Sequence, residues 1–290
     1  KKRILFVIPL LSILEQNSAV ILHSIQDKSS LTEHHSNVVK LFDTEEKLDQ
    51  YELLTDTWES PIVITTLVQF LNTLFSGKTS AVRRVSALSQ AVIVIDEVQS
   101  LPKKAMNLFT MALNFLAYGC GATVVLSSAT TPCFEQTDFP LQYADPVEIV
   151  PYEANDFEVF KRTEIIDKTS PYGMSVEELA DFSAEVLSRV SSLLLICNTK
   201  ESALRLYREL EHRCDDCRVF HLSTSMCMAH RTDTLKKINA ALKSREKMVC
   251  VSTQLVEAGV DFSFESVIRA AAGMDNIAHA AGRCNRSNDF

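Results

Sequence analysis

Val94-Ile95-Asp96-Glu97-Val98-Gln99 sets two adjacent carboxylates at the end of a wholly apolar strand. Burying such a strand beside two charges is costly unless a cation or a strong donor receives them. A magnesium–nucleotide complex would do so, with Asp96 holding the metal through water and Glu97 orienting the attacking water as general base. A strand-end Asp-Glu that caps the next helix is the plainer alternative. The hexapeptide taken alone does not separate the two.

Outward from this stretch the same pattern recurs. Short apolar runs alternate with helical periodicity, as in a parallel sheet wrapped by helices. Ile4–Ile8, Ile62–Ile64, Val92–Ile95 and Thr123–Leu126 read as strands, with helices over Ser12–Gln26, Leu67–Phe75 and Lys103–Tyr118. Leu193–Ile196, Arg218–Leu222, Met248–Val251 and Val267–Ile268 repeat the logic, separated by helices around Glu201–His212 and Arg231–Lys243. Asp27–Ser60, with three Lys against nine Asp+Glu, reads as an exposed connection with some helix. Residues 132–165 hold four prolines and read as the passage between domains. The expected division is a first domain over 1–150, a linker over 151–165 and a second domain over 166–290.

Nearly every strand runs into small polar or charged residues at its C-terminal end. Pro9 and Ser12, Thr65-Thr66, Asp96-Glu97 and Ser127-Ser128-Ala129-Thr130 do so in the first half. Asn198-Thr199-Lys200, Ser223-Thr224, Ser252-Thr253-Gln254 and Arg269 do so in the second. Ligands of open parallel sheets bind beyond the carboxyl ends of the strands, so one rim per domain is expected, and two facing rims would make a cleft.

Composition narrows the classes. The chain has 290 residues, 46% apolar and 23% charged, with eight cysteines and a net charge of −8. Mean hydropathy is +0.04. Two domains can each bury a core, and disorder or a small disulfide scaffold is excluded. Residues 1–160 carry 11 Lys+Arg against 19 Asp+Glu, and residues 161–290 carry 18 of each, so neither half is a basic patch. Nucleic acid would have to be held by placed hydroxyls, backbone amides and a few arginines. Irregularly spaced cysteines read as reduced thiols of a cytoplasmic protein, and Cys214-Asp215-Asp216-Cys217 lacks the second pair that a zinc site needs. Lys1-Lys2-Arg3 before an apolar run has the outline of a signal peptide, but Pro9 and the change of periodicity after it argue otherwise. No run approaches the ~18 apolar residues of a membrane helix.

His279, Gly282, Arg283 and Arg286 stand at i, i+3, i+4 and i+7, and on a helix they would share one face. Two such arginines, with Gly allowing close approach, suit a row of phosphate oxygens. A solvated basic face is the plainer reading of most arginine pairs.

Asp96-Glu97-Val98-Gln99, Ser128-Ala129-Thr130 and Gly282-Arg283-Cys284-Asn285-Arg286 resemble motifs II, III and VI of superfamily-two helicases. Val7–Asn17, Glu33–Asn37, His221–Arg231 and Leu255–Phe262 bring the resemblance closer, to the helicase part of the CRISPR-associated helicase–nuclease of type I systems. It spans nearly the whole chain, and the order and spacing of its motifs make it specific.

The resemblance implies two RecA-like α/β domains, each a mostly parallel sheet flanked by helices, with ATP and Mg2+ in the cleft between them. Pro9, Ser12 and Thr66 fall where the family touches the single-strand backbone. Asp96 and Glu97 fall on the magnesium and water-activating positions. Ser128 and Thr130 match the motif that couples hydrolysis to domain movement. Thr253, Gln254, Gly259 and Asp261 match motif V, where strand contact and nucleotide sensing meet. Arg283 and Arg286 match the arginine fingers, with His279 in the place usually held by Gln or His. The implied partners are single-stranded DNA, an RNA-guided CRISPR surveillance complex that delivers the displaced strand, and a nuclease domain in the same polypeptide; no membrane is implied.

Such a motor also needs a G-x-x-x-x-G-K-[ST] phosphate loop between a strand and a helix. Gly77-Lys78-Thr79 is preceded by Asn72 where the first Gly belongs, and it follows a helix. Lys78, Arg83 and Arg84 therefore read as a surface loop, and the phosphate loop is expected upstream of Lys1. The 290 residues alone are accordingly expected to bind ATP poorly and not to unwind DNA. A general superfamily-two translocase of repair or restriction and a nonhydrolysing nucleic-acid-binding fragment are the rival readings.

Overall fold

The computed structural model describes residues 2–9, 11–25, 27–35, 45–151, 153, 156–214, 216–256 and 260–288. They form two units, Lys1–Ile149 and Val150–Phe290.

In the first unit the order is β1 (Ile4–Ile8), α1 (Leu11–Ser24), β2 (Leu31–His34), α2 (Glu45–Thr57), β3 (Ile62–Thr66), α3 (Leu67–Phe75), α4 (Thr79–Leu88), β4 (Val92–Ile95), α5 (Met106–Asn114) and β5 (Thr123–Leu126). Apart from β2, the strands are short runs rich in Val, Ile and Leu, which suit a pleated surface covered on both sides. All pairings are parallel, in the order β2-β3-β1-β4-β5. Side chains alternate across the sheet. Leu5 and Val7 of β1 enter a core with Phe70 of α3, Leu88 of α4 and Phe109 of α5, while Ile8 packs on the other face with Leu14 of α1.

Three expectations about this unit are corrected. Asp27–Ser60 is not merely an exposed connection, because it supplies edge strand β2 and the fully buried Trp58. Lys78–Arg84 is not a surface loop: Lys78 is the N-cap of α4, and Arg84 on that helix is only 7% exposed. The first part of residues 132–165 packs on this unit, with Phe134 fully buried in its core and the Asn114 amide bonded to Pro140 O and Gln142 N, each at 3.0 Å.

The second unit runs α6 (Asp156–Phe160), α7 (Val176–Leu187), β6 (Ser192–Ile196), α8 (Lys200–Arg213), β7 (Arg218–Leu222), α9 (Met228–Lys243), β8 (Met248–Ser252), β9 (Ser266–Arg269) and α10 (Met274–Ala281). Its sheet is parallel, in the order β7-β8-β6-β9. Leu193 and Leu195 face α7 and α8, through Ala180, Leu187, Leu206 and Leu210. Leu194 and Ile196 face the opposite core, with Ile238 of α9, Ala280 of α10, Phe262 and Phe264. Among the described residues, no helix is long and apolar enough to cross a membrane.

Candidate functional site

Register levels the strand ends of the first unit. His34 pairs with Thr65, Thr65 with Val7, Val7 with Ile95, and Ile95 with Leu126. One step further along the chain lie Thr66, Asp96 and Ser127, which therefore stand along one rim. Backbone bonds fix them there: Asp96 N donates to Val7 O at 3.0 Å, and Ser127 N donates to Ile95 O at 2.8 Å. Pro9 lies half-buried just beyond β1, and Ser12 falls in the first turn of α1.

Asp96 and Glu97 are both half-buried. Among the described residues, the Asp96 carboxylate receives no hydrogen bond and forms no ion pair. Hard oxygen donors left open at a rim suit a divalent cation that prefers oxygen ligands. Glu97 adopts left-handed backbone, φ 51° and ψ 46°, which a non-glycine residue holds only at a cost of roughly 1–2 kcal/mol. That turn carries the chain away from β4 immediately after Asp96. Strain of this kind collects where a side chain must be aimed.

Gln99 joins two of the motifs. Its amide nitrogen donates to Glu97 Oε2, and its Oε1 accepts from Ser128 Oγ at 2.6 Å. Ser128 Oγ also contacts Thr130 O at 2.6 Å and accepts from Thr130 N at 3.1 Å. The Thr130 hydroxyl is buried and finds no partner among the described residues. Thr66 is committed differently, since its Oγ1 accepts from Gln69 N at 3.2 Å and caps α3. Its hydroxyl proton remains available to a phosphate oxygen.

A polar cluster lies at the β2 edge of this unit. Trp58 Nε1 donates to His34 Nδ1 at 3.0 Å, and the Arg84 guanidinium sits over the Trp58 ring, 5.5 Å from its centroid. Burial, then the charge of Arg84 and then His35, bring the His34 imidazole down to about 4.

The second unit brings its own motifs together. Thr253 is buried past the end of β8 and its N–H donates to Leu222 O at 3.4 Å, while Gln254 beside it is exposed. Gly259 lies outside the described residues. The expected helical face does not form: α10 stops at Ala281, so it holds His279, half-buried in its last turn, but not Arg283 or Arg286. Gly282 is the C-cap, where an added Cβ would lie 3.3 Å from the His279 carbonyl oxygen.

The chain is then pulled off the helical path by a parallel bridge between Phe264 and Cys284, with Phe264 N donating to Arg283 O at 2.9 Å and Asn285 N to Phe264 O at 2.8 Å. Arg283 is buried, and its Nε donates to Val256 O at 2.9 Å, tying the arginine motif to the segment after β8. Arg286 is half exposed and pairs through Nε with Asp261 Oδ1 at 2.9 Å. The two arginines thus differ: one is held inside the unit, and the other presents its charge at the surface.

Sequence reading assigned no role to Gln99, Asn285 or Arg162; here Gln99 binds Glu97, Arg162 binds the Arg286 carbonyl, and Asn285 binds Arg162. Gln99 could have been found from its place two residues after Glu97; Arg162 sits in a charged connection that gives no signal.

A family profile described as CRISPR-associated nuclease/helicase Cas3, C-terminal, matches residues 189–289. Over 99% of its length the chain aligns at 26% identity with the CRISPR-associated nuclease/helicase Cas3 of Haloferax volcanii, covering 41% of that protein. With the protein of the same description from Methanothermobacter thermautotrophicus it is 22% identical over 79% of its length, covering 28% of the relative. The chain therefore spans less than half of either. The crystal structure of T. fusca Cas3 with AMPPNP superposes with a TM-score of 0.74 at 19% identity, over 99% of this chain and 38% of that one. A chain of a structure described as a CRISPR RNA-guided surveillance complex, pre-nicking, gives 0.63 at 17% identity, over 98% and 36%. These findings agree with the resemblance carried by the motifs: the chain is similar to a Cas3 helicase segment, and its two parallel-sheet α/β domains are similar to the RecA-like domains of that helicase.

Proposed function

We propose that this chain is the helicase segment of a type I CRISPR helicase–nuclease, driving movement along single-stranded DNA by ATP hydrolysis. The observation that carries this reading is the level rim of the first unit, where the Asp96 carboxylate, without a partner among the described residues, and the strained Glu97 stand in line with Thr66 and Ser127. Asp96 would hold Mg2+, which when bound neutralises charge on the phosphates. Glu97 would orient the attacking water and take its proton. Arg286 would meet charge developing on the transferred phosphoryl group, and Arg283 would keep the arginine loop in register with the segment after Thr253. Gly259, Asp261, His279 and Gly282 would complete the nucleotide-sensing set. Pro9, Ser12, Thr66, Thr253 and Gln254 would touch the DNA backbone, and Ser128 with Thr130 would relay hydrolysis to the strand-holding residues.

The substrate strand, the surveillance complex that exposes it, the nuclease domain in the same polypeptide and a cytoplasmic location come with this proposal. So does the expectation that these 290 residues, without a phosphate loop among them, do not hydrolyse ATP or unwind DNA by themselves. The test is steady-state ATP hydrolysis by the full-length protein with and without single-stranded DNA. Stimulation by DNA that weakens with salt and shows little base preference supports the reading. Hydrolysis that ignores DNA, or that survives Asp96→Asn unchanged, overturns it.

A further inference from the structure

The segment after α6 clasps the arginine loop from outside. Arg162 Nη1 donates to the backbone carbonyl of Arg286, and Asn285 Nδ2 donates to Arg162 O at 3.4 Å. The clasp is thus reciprocal: side chain to backbone in one direction, and the reverse one residue away. Asn285 is buried and holds left-handed backbone, φ 46°, so the loop turns sharply where Arg162 grips it. Phe160, Arg162 and Thr163 form one wall of a pocket of about 240 Å³, and Ala281, Gly282, Cys284 and Arg286 form the other. Arg286 itself is anchored at its guanidinium by Asp261 and at its carbonyl by Arg162, so its side chain is aimed from both ends.

A guanidinium N–H bound to a neutral carbonyl forms a charge-assisted bond. Nothing in the core requires it. Arg162 is exposed, and the loop already has the Phe264–Cys284 bridge and the buried Arg283 bond to hold its fold. What the clasp adds is the direction in which Arg286 leaves the loop.

We infer that Arg162 is a positioning residue for Arg286, aiming its guanidinium for phosphoryl transfer by holding the Arg286 carbonyl from the segment that follows α6. The inference rests on the hydrolytic role proposed above for Arg286. A misaim of about 1 Å in a charge-stabilising group costs on the order of 10²-fold in rate. An exposed tether whose loop keeps its other bonds should cost less, about tenfold.

The experiment compares Arg162→Ala, Arg162→Lys and Arg286→Ala in the full-length protein, by DNA-stimulated ATP hydrolysis and by thermal unfolding. The expected result is a kcat about tenfold lower in Arg162→Ala, with KM for ATP and the unfolding midpoint unchanged. Arg162→Lys, which keeps a charged donor on a more flexible stem, should fall between. Wild-type kcat in Arg162→Ala beside an inactive Arg286→Ala overturns the positioning role and leaves the hydrolytic reading standing. A lowered unfolding midpoint, or a raised KM with unchanged kcat, also overturns it, since either marks a merely structural or binding contact. Wild-type turnover in Arg286→Ala overturns the hydrolytic reading itself and the inference with it.

Discussion

Ser128 donates its hydroxyl to the side-chain carbonyl of Gln99 at 2.6 Å, and Gln99 in turn donates to Glu97, so the residues after β5 are wired to the carboxylate after β4. A movement of the 127–130 segment would be felt at Glu97 through one amide. Ser128→Ala removes the hydroxyl that also binds Thr130, and its link to Gln99 is one neutral hydrogen bond, worth about 1 kcal/mol or roughly fivefold in rate. The expected outcome is a loss of that size in DNA-stimulated turnover, with ATP binding unchanged. Equal DNA stimulation in Ser128→Ala and the parent protein would show that this amide carries no signal.

The His34 cluster makes the first unit acid-sensitive. Burial and the neighbouring Arg84 hold His34 down to about 4 from its ordinary 6.5, so the unfolded chain takes up the proton first. Stability from this group is therefore full above about pH 6.5 and is lost as pH falls toward 4, a change on the order of 2–3 kcal/mol. Trp58, the single tryptophan, donates to His34 and reports the transition by its fluorescence. Urea midpoints measured between pH 7 and 4 should fall, and Arg84→Ala should flatten the slope by letting the imidazole titrate nearer its ordinary value. A midpoint constant across that range would contradict the assignment.

What could be read from residues alone followed the strength of the local signal. Most strands of the two sheets were legible, because runs such as Val92–Ile95 and Leu193–Ile196 are too apolar to be anything but buried. Strand β2 was not, since Leu-Thr-Glu-His has no apolar run and earns its place only by pairing with β3. Arg84 looked like a surface charge because composition cannot show a tryptophan face waiting for a guanidinium. Four residues at i, i+3, i+4 and i+7 suggested one helical face around the arginines, but the Phe264–Cys284 bridge overrides that period once Gly282 ends α10. The rim residues were readable as types; the left-handed turn at Glu97 and the burial of Arg283 were not.

Thr66 carries two duties that substitution can separate. Its hydroxyl caps α3, and losing such a cap costs typically about 1 kcal/mol. Thr66→Ala should lower stability by about that amount and weaken single-stranded DNA binding, while Thr66→Ser should restore both. Denaturant titration and fluorescence anisotropy with labelled DNA measure the two effects, and full DNA affinity in Thr66→Ala would remove Thr66 from the contact set.

Thiol reactivity should divide the cysteines by burial. Cys133 and Cys227 are exposed, whereas burial pushes the Cys197 thiol up to about 11 and the fully enclosed Cys250 thiol higher still. Thiolate is the reactive form, so alkylation of the native protein at pH 8 should mark Cys133 and Cys227 rapidly and leave Cys197 and Cys250 until unfolding. Peptide mapping that finds Cys250 labelled early would mean that β8 is not a buried interior strand of its sheet.

The most direct measurement is steady-state ATP hydrolysis by the full-length protein carrying Glu97→Gln, Arg286→Ala, or both. General-base loss typically costs 10²–10⁴-fold and loss of an arginine finger ~10³–10⁵-fold, and groups acting on one step are strongly non-additive. Each single variant should fold normally and fall within its range, and the double variant should be about as slow as the worse of the two. Turnover near the parent rate in either single variant, or losses that multiply in the double, would contradict the claim that both residues serve one hydrolytic step.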